Sequence, residues 1–144
     1  MRGVLVLGLL LCGPGATALH CQAVAARTSL CALAREANLA SGRFVRLSVR
    51  FQTDMSAHSF LWDQKCPSVR MALMYPETQP WDKSVEQFAT TIGASLLDPA
   101  AGNFLLDISG TFRWRPDESL KGALVIDRVW SVTPTKKTAP GKPR

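Results

Sequence analysis

The sequence predicts a mainly β protein, a small five-stranded β-barrel with accessory helices. Five short segments alternate apolar and polar residues with a period of two, which is typical of strands that bury one face. Two other segments carry apolar residues at helical spacing. The 144 residues suffice for one domain with a core, and 47% apolar with 19% charged residues excludes a disordered chain and a polytopic membrane protein.

The predicted elements follow one another without an internal repeat. In chain order they are a helix over 28–39, strands over 45–51, 60–62 and 69–75, a helix over 81–92, and strands over 104–114 and 123–132. Thr28 or Ser29 can cap the first helix. Pro76 ends the third strand because proline cannot donate to a ladder, and Pro80 suits the first turn of the second helix.

Two irregularities are expected in the last two strands. Gly110 lies in the middle of the clearest alternation in the chain, and a glycine there is typical of a bulge or a sharp bend at a barrel corner. In the last strand, the alternation of apolar and polar residues becomes ambiguous at Asp127 and Arg128, which predicts another bulge or poor edge pairing there.

The order of the elements is that of the OB-fold. Five short antiparallel strands with a helix between the third and the fourth form this small, partly open barrel, and the N-terminal helix is an addition to it. The alternative is an α+β sheet with its helices on one face, which periodicity alone does not exclude. The sequence therefore favours an OB-like barrel with accessory helices.

The N-terminal residues have the pattern of a secretory signal peptide. Arg2 precedes an apolar run from Val4 to Cys12, and Ala16-Thr17-Ala18 offers a small-x-small cleavage site. The run is about half as long as the ~20 apolar residues of a membrane span. We therefore expect removal of a leader over 1–18, a single OB-like domain over 19–133, and an exported protein, periplasmic or extracellular, that keeps no transmembrane segment.

The formal charge of +6 comes mainly from the C-terminal tail. Residues 134–144 carry four cations and no acid, and this Pro- and Lys-rich composition predicts a disordered basic tail. When the leader and the tail are left out, the remaining body of the chain contains 12 basic and 11 acidic residues. A nearly neutral body, and a leader that directs the chain away from the cell's nucleic acid, both argue against nucleic acid as the partner.

Several segments resemble a group of small exported bacterial proteins of unassigned function. They are Ser29–Leu33, Gly42–Leu47, His58–Asp63, Cys66-Pro67, Ile108–Phe112 and Leu124–Val129. The similarity extends from Ser29 to Val132, with one departure where Phe51-Gln52 replaces the group's glycine after the first strand. The resemblance implies an OB-like shape and a pair formed by Cys31 and Cys66, and it brings no established activity.

Removal of the leader would leave three cysteines, Cys21, Cys31 and Cys66, of which an exported protein is expected to oxidise two. The pair implied by the resemblance would tie the first helix to the barrel and stabilise the fold by about 3–4 kcal/mol. A Cys21–Cys31 bridge would close only a short local loop. Because Cys66 lacks a Cys-x-x-Cys partner, we expect a structural crosslink rather than a redox nucleophile.

Aromatic residues near the second and third strands are candidates for a ligand site. Trp62, Tyr75 and Trp81, together with His58, could line a pocket there, although aromatics near strand ends also commonly close a core. The sequence contains no histidine pair at metal-ligand spacing and no Gly-rich phosphate loop. It therefore predicts an exported, non-catalytic binding or envelope-associated module without cofactor or metal, whose partner is a small molecule or an envelope protein.

Two alternative functions stay open. A hydrolase-type enzyme would use His58 with Asp63 or Asp107, although no Gly-x-Ser-x-Gly elbow is present and triads assemble from distant segments. A domain that binds single-stranded nucleic acid would use aromatic and basic residues of the first and fourth strands, Arg46, Arg50 and the run Phe112–Arg115. Phe112 and Trp114 share the parity of core positions, which predicts burial of both.

Overall fold

The computed structural model describes residues 25–53, 59–95, 102–115 and 120–135. In chain order its elements are β1 (Ala26–Thr28), α1 (Leu30–Arg35), α2 (Ala37–Ala40), β2 (Phe44–Thr53), β3 (Ser59–Trp62), β4 (Arg70–Met74), α3 (Lys83–Ser95), β5 (Asn103–Arg113) and β6 (Ala123–Pro134). The predicted signal peptide, His58, Cys21 and most of the predicted tail lie outside the described residues.

The protein is a mainly β barrel, as the sequence predicts. Strands pair in the order β2-β3-β4-β6-β5, and β5 pairs again with β2 to close the barrel. All these pairs are antiparallel except β4–β6, which is parallel. This corrects the expectation of a wholly antiparallel barrel: because β5 and β6 form a hairpin, β6 runs in the direction of β4 when it closes on it. The order is that of an OB-like barrel with a helix, α3, after the third barrel strand.

The N-terminal segment differs in two details from its prediction. The helix expected over 28–39 is two short helices, because the backbone at Glu36 has φ −115° and interrupts the helical path. Ser29 caps α1, accepting a hydrogen bond from the Ala32 N–H at 3.1 Å. The short strand β1 was not predicted; it pairs in parallel with the first half of β2.

The interior of the barrel is filled by side chains that alternate along each strand. Those with 0–2% exposure include Leu47, Val49, Leu61, Met71, Leu106, Ile108, Leu124 and Ile126. Phe51, which replaces the glycine of the resembling group, is also 2% exposed, and its ring lies 5.8 Å from that of Phe88. The departure therefore supplies an aromatic core contact, and β2 continues through it to Thr53.

Helices cover both ends of the barrel. At one end, α3 buries Val85, Phe88 and Ile92. At the other, α1 and α2 bury Leu30, Leu33 and Ala40. No helix among the described residues is long and apolar enough to cross a membrane.

The alternation of β5 predicts burial of both Phe112 and Trp114; this is confirmed for Phe112 and is wrong for Trp114. Phe112 is fully buried, but 41% of Trp114 is exposed. The reason is that β5 ends at Arg113, so the residue after it leaves the barrel wall and no longer follows the alternation. At the C-terminus, β6 extends to Pro134, two residues beyond its predicted end at 132.

Two β-bulges interrupt the β5–β6 hairpin. The register shifts between Ser109 and Gly110, where Asp127 is the extra residue, and again between Asp107 and Ile108, where the extra residue is Trp130. The first confirms the predicted bulge at Asp127 and Arg128. At Gly110 a Cβ atom would lie 2.2 Å from the Val125 carbonyl oxygen, so the strands can approach here only because the residue is glycine.

Gly110→Ala is expected to destabilise the fold by about 1–3 kcal/mol, because a Cβ atom would force the β5 and β6 backbones apart. Gly93→Ala is the matched control, since Gly93 lies in α3 with nothing within 4 Å of a Cβ. This control should stabilise the protein by about 0.5–1 kcal/mol. Urea unfolding measures both, and equal effects of the two substitutions would contradict the close approach at Gly110.

A disulfide joins Cys31 of α1 to Cys66 in the turn between β3 and β4, with Cα atoms 5.8 Å apart. The predicted pair is thereby confirmed. The bond spans 35 positions of sequence and fixes the helical cover of one barrel end to the barrel wall. Leu30 and Leu33, on either side of Cys31 in sequence, are buried in the core.

Replacing both bonded cysteines, Cys31→Ser with Cys66→Ser, should lower the free energy of unfolding by about 3–4 kcal/mol, because the unfolded chain regains loop entropy. Urea unfolding without reductant measures this loss. Cys21→Ser is the control and should leave stability unchanged. A loss of similar size for Cys21→Ser would show that the crosslink involves a different pair.

Candidate functional site

Because side chains fill the interior and helices cover both ends, a ligand has to contact the outer surface of the barrel. Three strands, β2, β3 and β4, present one continuous outer face. Arg50, Trp62 and Arg70 form a row across it, since Arg50 pairs with Trp62 and Trp62 pairs with Arg70. Phe60, two residues before Trp62, lies on the same side.

We refer to Arg50, Phe60, Trp62 and Arg70 as the arginine–aromatic face. The Arg50 guanidinium carbon lies 5.5 Å from the centre of the Trp62 ring system, and that of Arg70 lies 4.5 Å from the centre of the Phe60 ring. These distances are those of cation–π contacts. A ring accepts no conventional hydrogen bond, so a guanidinium held over it keeps N–H donors available to an anion.

The charges on this face are uncompensated within the described part of the chain. No carboxylate there forms an ion pair with Arg50 or Arg70. The nearest acid in sequence, Asp63, follows Trp62 and accepts a hydrogen bond from the Lys65 backbone N–H at 2.9 Å. The Trp62 Nε1 atom is buried and has no hydrogen-bond partner among the described groups, so ring packing alone holds the indole.

Tyr75 and Trp81 do not join Trp62 in one group. Their rings stack on each other with centres 5.2 Å apart, and the Trp81 N–H donates to the Pro76 carbonyl oxygen at 3.1 Å. The Tyr75 ring lies 6.4 Å from that of Phe88 in α3, and burial raises the pKa of its hydroxyl. This pair packs against the core at the α3 end, whereas Trp62 lies at the last position of β3, toward the other end.

A second arginine–aromatic group lies where β2, β5 and β6 meet. The Arg46 guanidinium carbon is 4.1 Å from the centre of the Trp130 ring, and that of Arg128 is 5.3 Å from it. The Trp130 N–H donates to the Ser109 hydroxyl at 3.3 Å. The sequence pattern does not predict this group, because Trp130 takes its position from a bulge that alternation cannot reveal.

Carboxylates neutralise the arginines of this second group. Arg46 donates two hydrogen bonds to Asp107, at 2.8 and 2.6 Å, and Arg128 contacts Asp82 at 3.3 Å. The hydrogen bond from Arg46 holds the pKa of Asp107 below its usual value, and charge attraction from Arg46 and Arg27 adds to this.

The pKa of Asp82 is likewise lowered. The main causes are hydrogen bonds from the hydroxyl and backbone N–H of Ser84, with Arg128 contributing less. Asp63 and Asp107, the acids of the hydrolase-type hypothesis, thus both hold structural contacts. That hypothesis stays a prediction.

The charges of the domain are segregated along the barrel. The end covered by α1 and α2, which we call the basic end, carries six cations: Arg35, Arg43, Lys65, Arg70, Arg113 and Lys121. The Arg115 guanidinium instead contacts the Met74 sulfur at 3.5 Å, at the other end of β4. The described acids of the basic end are Glu36 and Asp63, and two further acids, Asp117 and Glu118, belong to the segment 116–119 that lies outside the description. The described residues of the α3 end instead include Glu77, Asp82 and Glu86, with Lys83 and with Arg128, which contacts Asp82.

Comparison of the chain with protein-family models, with curated proteins and with solved structures found no significant match. The resemblance to small exported bacterial proteins therefore stays a prediction, and the site has to be interpreted from its own geometry.

Asp107→Asn should lower the melting temperature at neutral pH, because the amide cannot replace the charge paired with Arg46. A carboxylate whose folded pKa lies below its unfolded value of about 3.9 stabilises the fold above that pH, and this contribution is lost as pH falls through the folded pKa. The variant should therefore lose less stability than the wild type between about pH 5 and pH 2.

Thermal unfolding followed across that pH range tests the prediction. Asp127→Asn is the control, since Asp127 is exposed and no ion pair to it is present among the described residues. If Asp107→Asn and the control showed the same pH dependence, the contact between Arg46 and Asp107 would contribute nothing to acid sensitivity.

Proposed function

We propose that this protein is an exported, non-catalytic binding module that holds an anionic ligand on the arginine–aromatic face. One observation carries the proposal. Arg50 and Arg70 lie on aromatic rings of the outer barrel face, and no described carboxylate pairs with either. A site with two stacked, unpaired guanidinium groups suits oxygen-rich anions such as phosphate, sulfate or carboxylate.

The second arginine group is a less suitable site because its donors are already in use. Two of the Arg46 nitrogens bind Asp107, and an Arg128 nitrogen contacts Asp82. An anion there would have to displace a carboxylate, whereas on the arginine–aromatic face it replaces only water. The rings beneath Arg50 and Arg70 also restrict the two side chains, which reduces the entropy lost on binding.

The proposed compartment follows from two features. The N-terminal pattern of a positive residue, an apolar run and a small-x-small site is that of a secretory leader. The Cys31–Cys66 disulfide is of the kind that persists in oxidising compartments and is rare where thiols are kept reduced. Together they support a periplasmic or extracellular location.

Single-stranded nucleic acid is the second candidate ligand. The observation in its favour is the position of Phe60 and Trp62 on the second barrel strand, the part of an OB-fold on which oligonucleotides bind. Guanidinium groups cover these rings, however, so bases would have to displace Arg50 and Arg70 before they could stack. Recognition of anionic groups by the arginines needs no such rearrangement.

Binding of a short heparin oligosaccharide and of a short oligothymidylate, measured by calorimetry at low and moderate salt, tests the proposal. We expect both polyanions to bind, with affinity that falls as salt rises. The double substitution Arg50→Gln with Arg70→Gln should weaken both by about tenfold or more, because each charged hydrogen bond contributes about 1.5–3 kcal/mol.

The control is Arg27→Gln with Lys83→Gln, which removes the same charge from exposed positions off this face. It should leave both affinities nearly unchanged. If the two double variants weakened binding equally, the loss of affinity would depend on net charge alone and not on the arginine–aromatic face. Absence of polyanion binding by the wild type would disprove the proposal. Binding of oligothymidylate alone, weakened by Phe60→Leu, would favour the nucleic-acid alternative.

A further inference from the structure

We infer that the basic end of the barrel docks on an anionic lipid bilayer, with Leu39 and Trp114 as its apolar contacts. Leu39 is 79% exposed and Trp114 is 41% exposed. These two residues belong to α2 and to the segment that follows β5. Arg70 is the one residue that this end shares with the arginine–aromatic face, and the inference does not depend on the proposed ligand.

Hydrogen bonds hold the two apolar residues at one surface. The Trp114 backbone N–H donates to the hydroxyl of Ser41, two residues after Leu39, at 3.1 Å. Gly42 donates to the Phe112 carbonyl at 2.7 Å, so the turn after α2 runs alongside the end of β5. Both residues therefore project from the same end, on backbone that the barrel holds in place.

Three exposed cations lie on the segments that carry these apolar side chains. Arg35 ends α1, Arg43 follows the turn after α2, and Arg113 precedes Trp114, each of them exposed. Glu36 approaches Arg43 only at 3.9 Å, with both side chains more than half exposed, so this pair neutralises little. The described residues of this end include six cations and two acids, Glu36 and Asp63, and this excess of positive charge is complementary to anionic headgroups.

This composition fits a bilayer better than a protein partner. A protein interface of standard size buries about 800 Å² on each side and has few charges at its centre. Here the exposed apolar residues are interspersed with arginines, as in surfaces that insert Trp and Leu at headgroup level while basic side chains bind lipid phosphates. Arginine stems add apolar contact at the same depth.

Co-sedimentation of the purified exported form with vesicles tests the inference. The wild type should sediment with vesicles of phosphatidylcholine and phosphatidylglycerol in equal parts, and not with phosphatidylcholine alone. The double substitution Leu39→Ser with Trp114→Ser should reduce the partition coefficient by about tenfold or more, because it removes both apolar insertions. The matched control, Leu105→Ser with Trp130→Ser, replaces residues that are 42% and 48% exposed on the barrel wall and should bind like the wild type, with folding checked by circular dichroism.

Three results would overturn the inference: no sedimentation of the wild type with anionic vesicles, equal binding by the Leu39/Trp114 double variant, or release by excess inorganic phosphate at constant ionic strength. The second would assign binding to charge alone, for instance to the basic tail, and the third to a site for free phosphate. Arg50→Gln, which leaves every cation of the basic end in place, should retain vesicle binding while it weakens polyanion binding on the arginine–aromatic face, so failure of the proposed ligand site and failure of membrane docking are distinguishable.

Discussion

β2 forms strand pairs along both of its edges, and the rest of the structure depends on this constraint. This strand pairs with β5 along nearly its whole length, while its other edge is shared between β1 and β3. Its alternation fixes what each side of the barrel presents: Val45, Leu47, Val49 and Phe51 face the core, so Arg46 and Arg50 have to face outward. Because a shift of one residue would exchange the two faces, the buried side chains hold both arginines in place.

The same strand places its two outward arginines in different chemical surroundings. Arg46 lies opposite β5, close enough to Asp107 for two hydrogen bonds, and becomes part of a neutralised structural group. Arg50, four residues further on, lies between Leu105 of β5 and Trp62 of β3, neither of which is an acid. Arg46 is therefore neutralised by a carboxylate of the barrel wall, while Arg50 forms no ion pair with a described carboxylate. Residue type and spacing do not distinguish the two arginines; the residues that lie near them on the adjoining strands do.

The sequence predicts the parts of this fold that depend on local periodicity. The barrel strands and α3 alternate or repeat clearly, and the bulge at Asp127 disturbs parity enough to be predicted. The three residues of β1 have no alternation, with Ala26 and Arg27 both exposed, so only pairing with β2 reveals a strand. Of the arginine–aromatic face, the sequence predicts Trp62 as a ligand-site residue and Arg50 as a residue of the nucleic-acid alternative. Arg70 and Phe60 join it through cross-strand register, which follows from tertiary structure.

Net charge gives an incomplete description of what this surface can bind. Twelve cations and eleven acids make the body almost neutral, which at the level of sequence argues against a polyanionic partner. Folding separates these charges, because the segments that join at the α1–α2 end are rich in arginine and lysine, while the approach to α3 is rich in acids. Screening by salt limits electrostatic attraction to about 8–10 Å at moderate ionic strength. An anion or a bilayer therefore responds to the local excess of positive charge rather than to the net charge of the whole domain. A nearly neutral domain can therefore carry a local excess of positive charge at one end, which its net charge does not reveal.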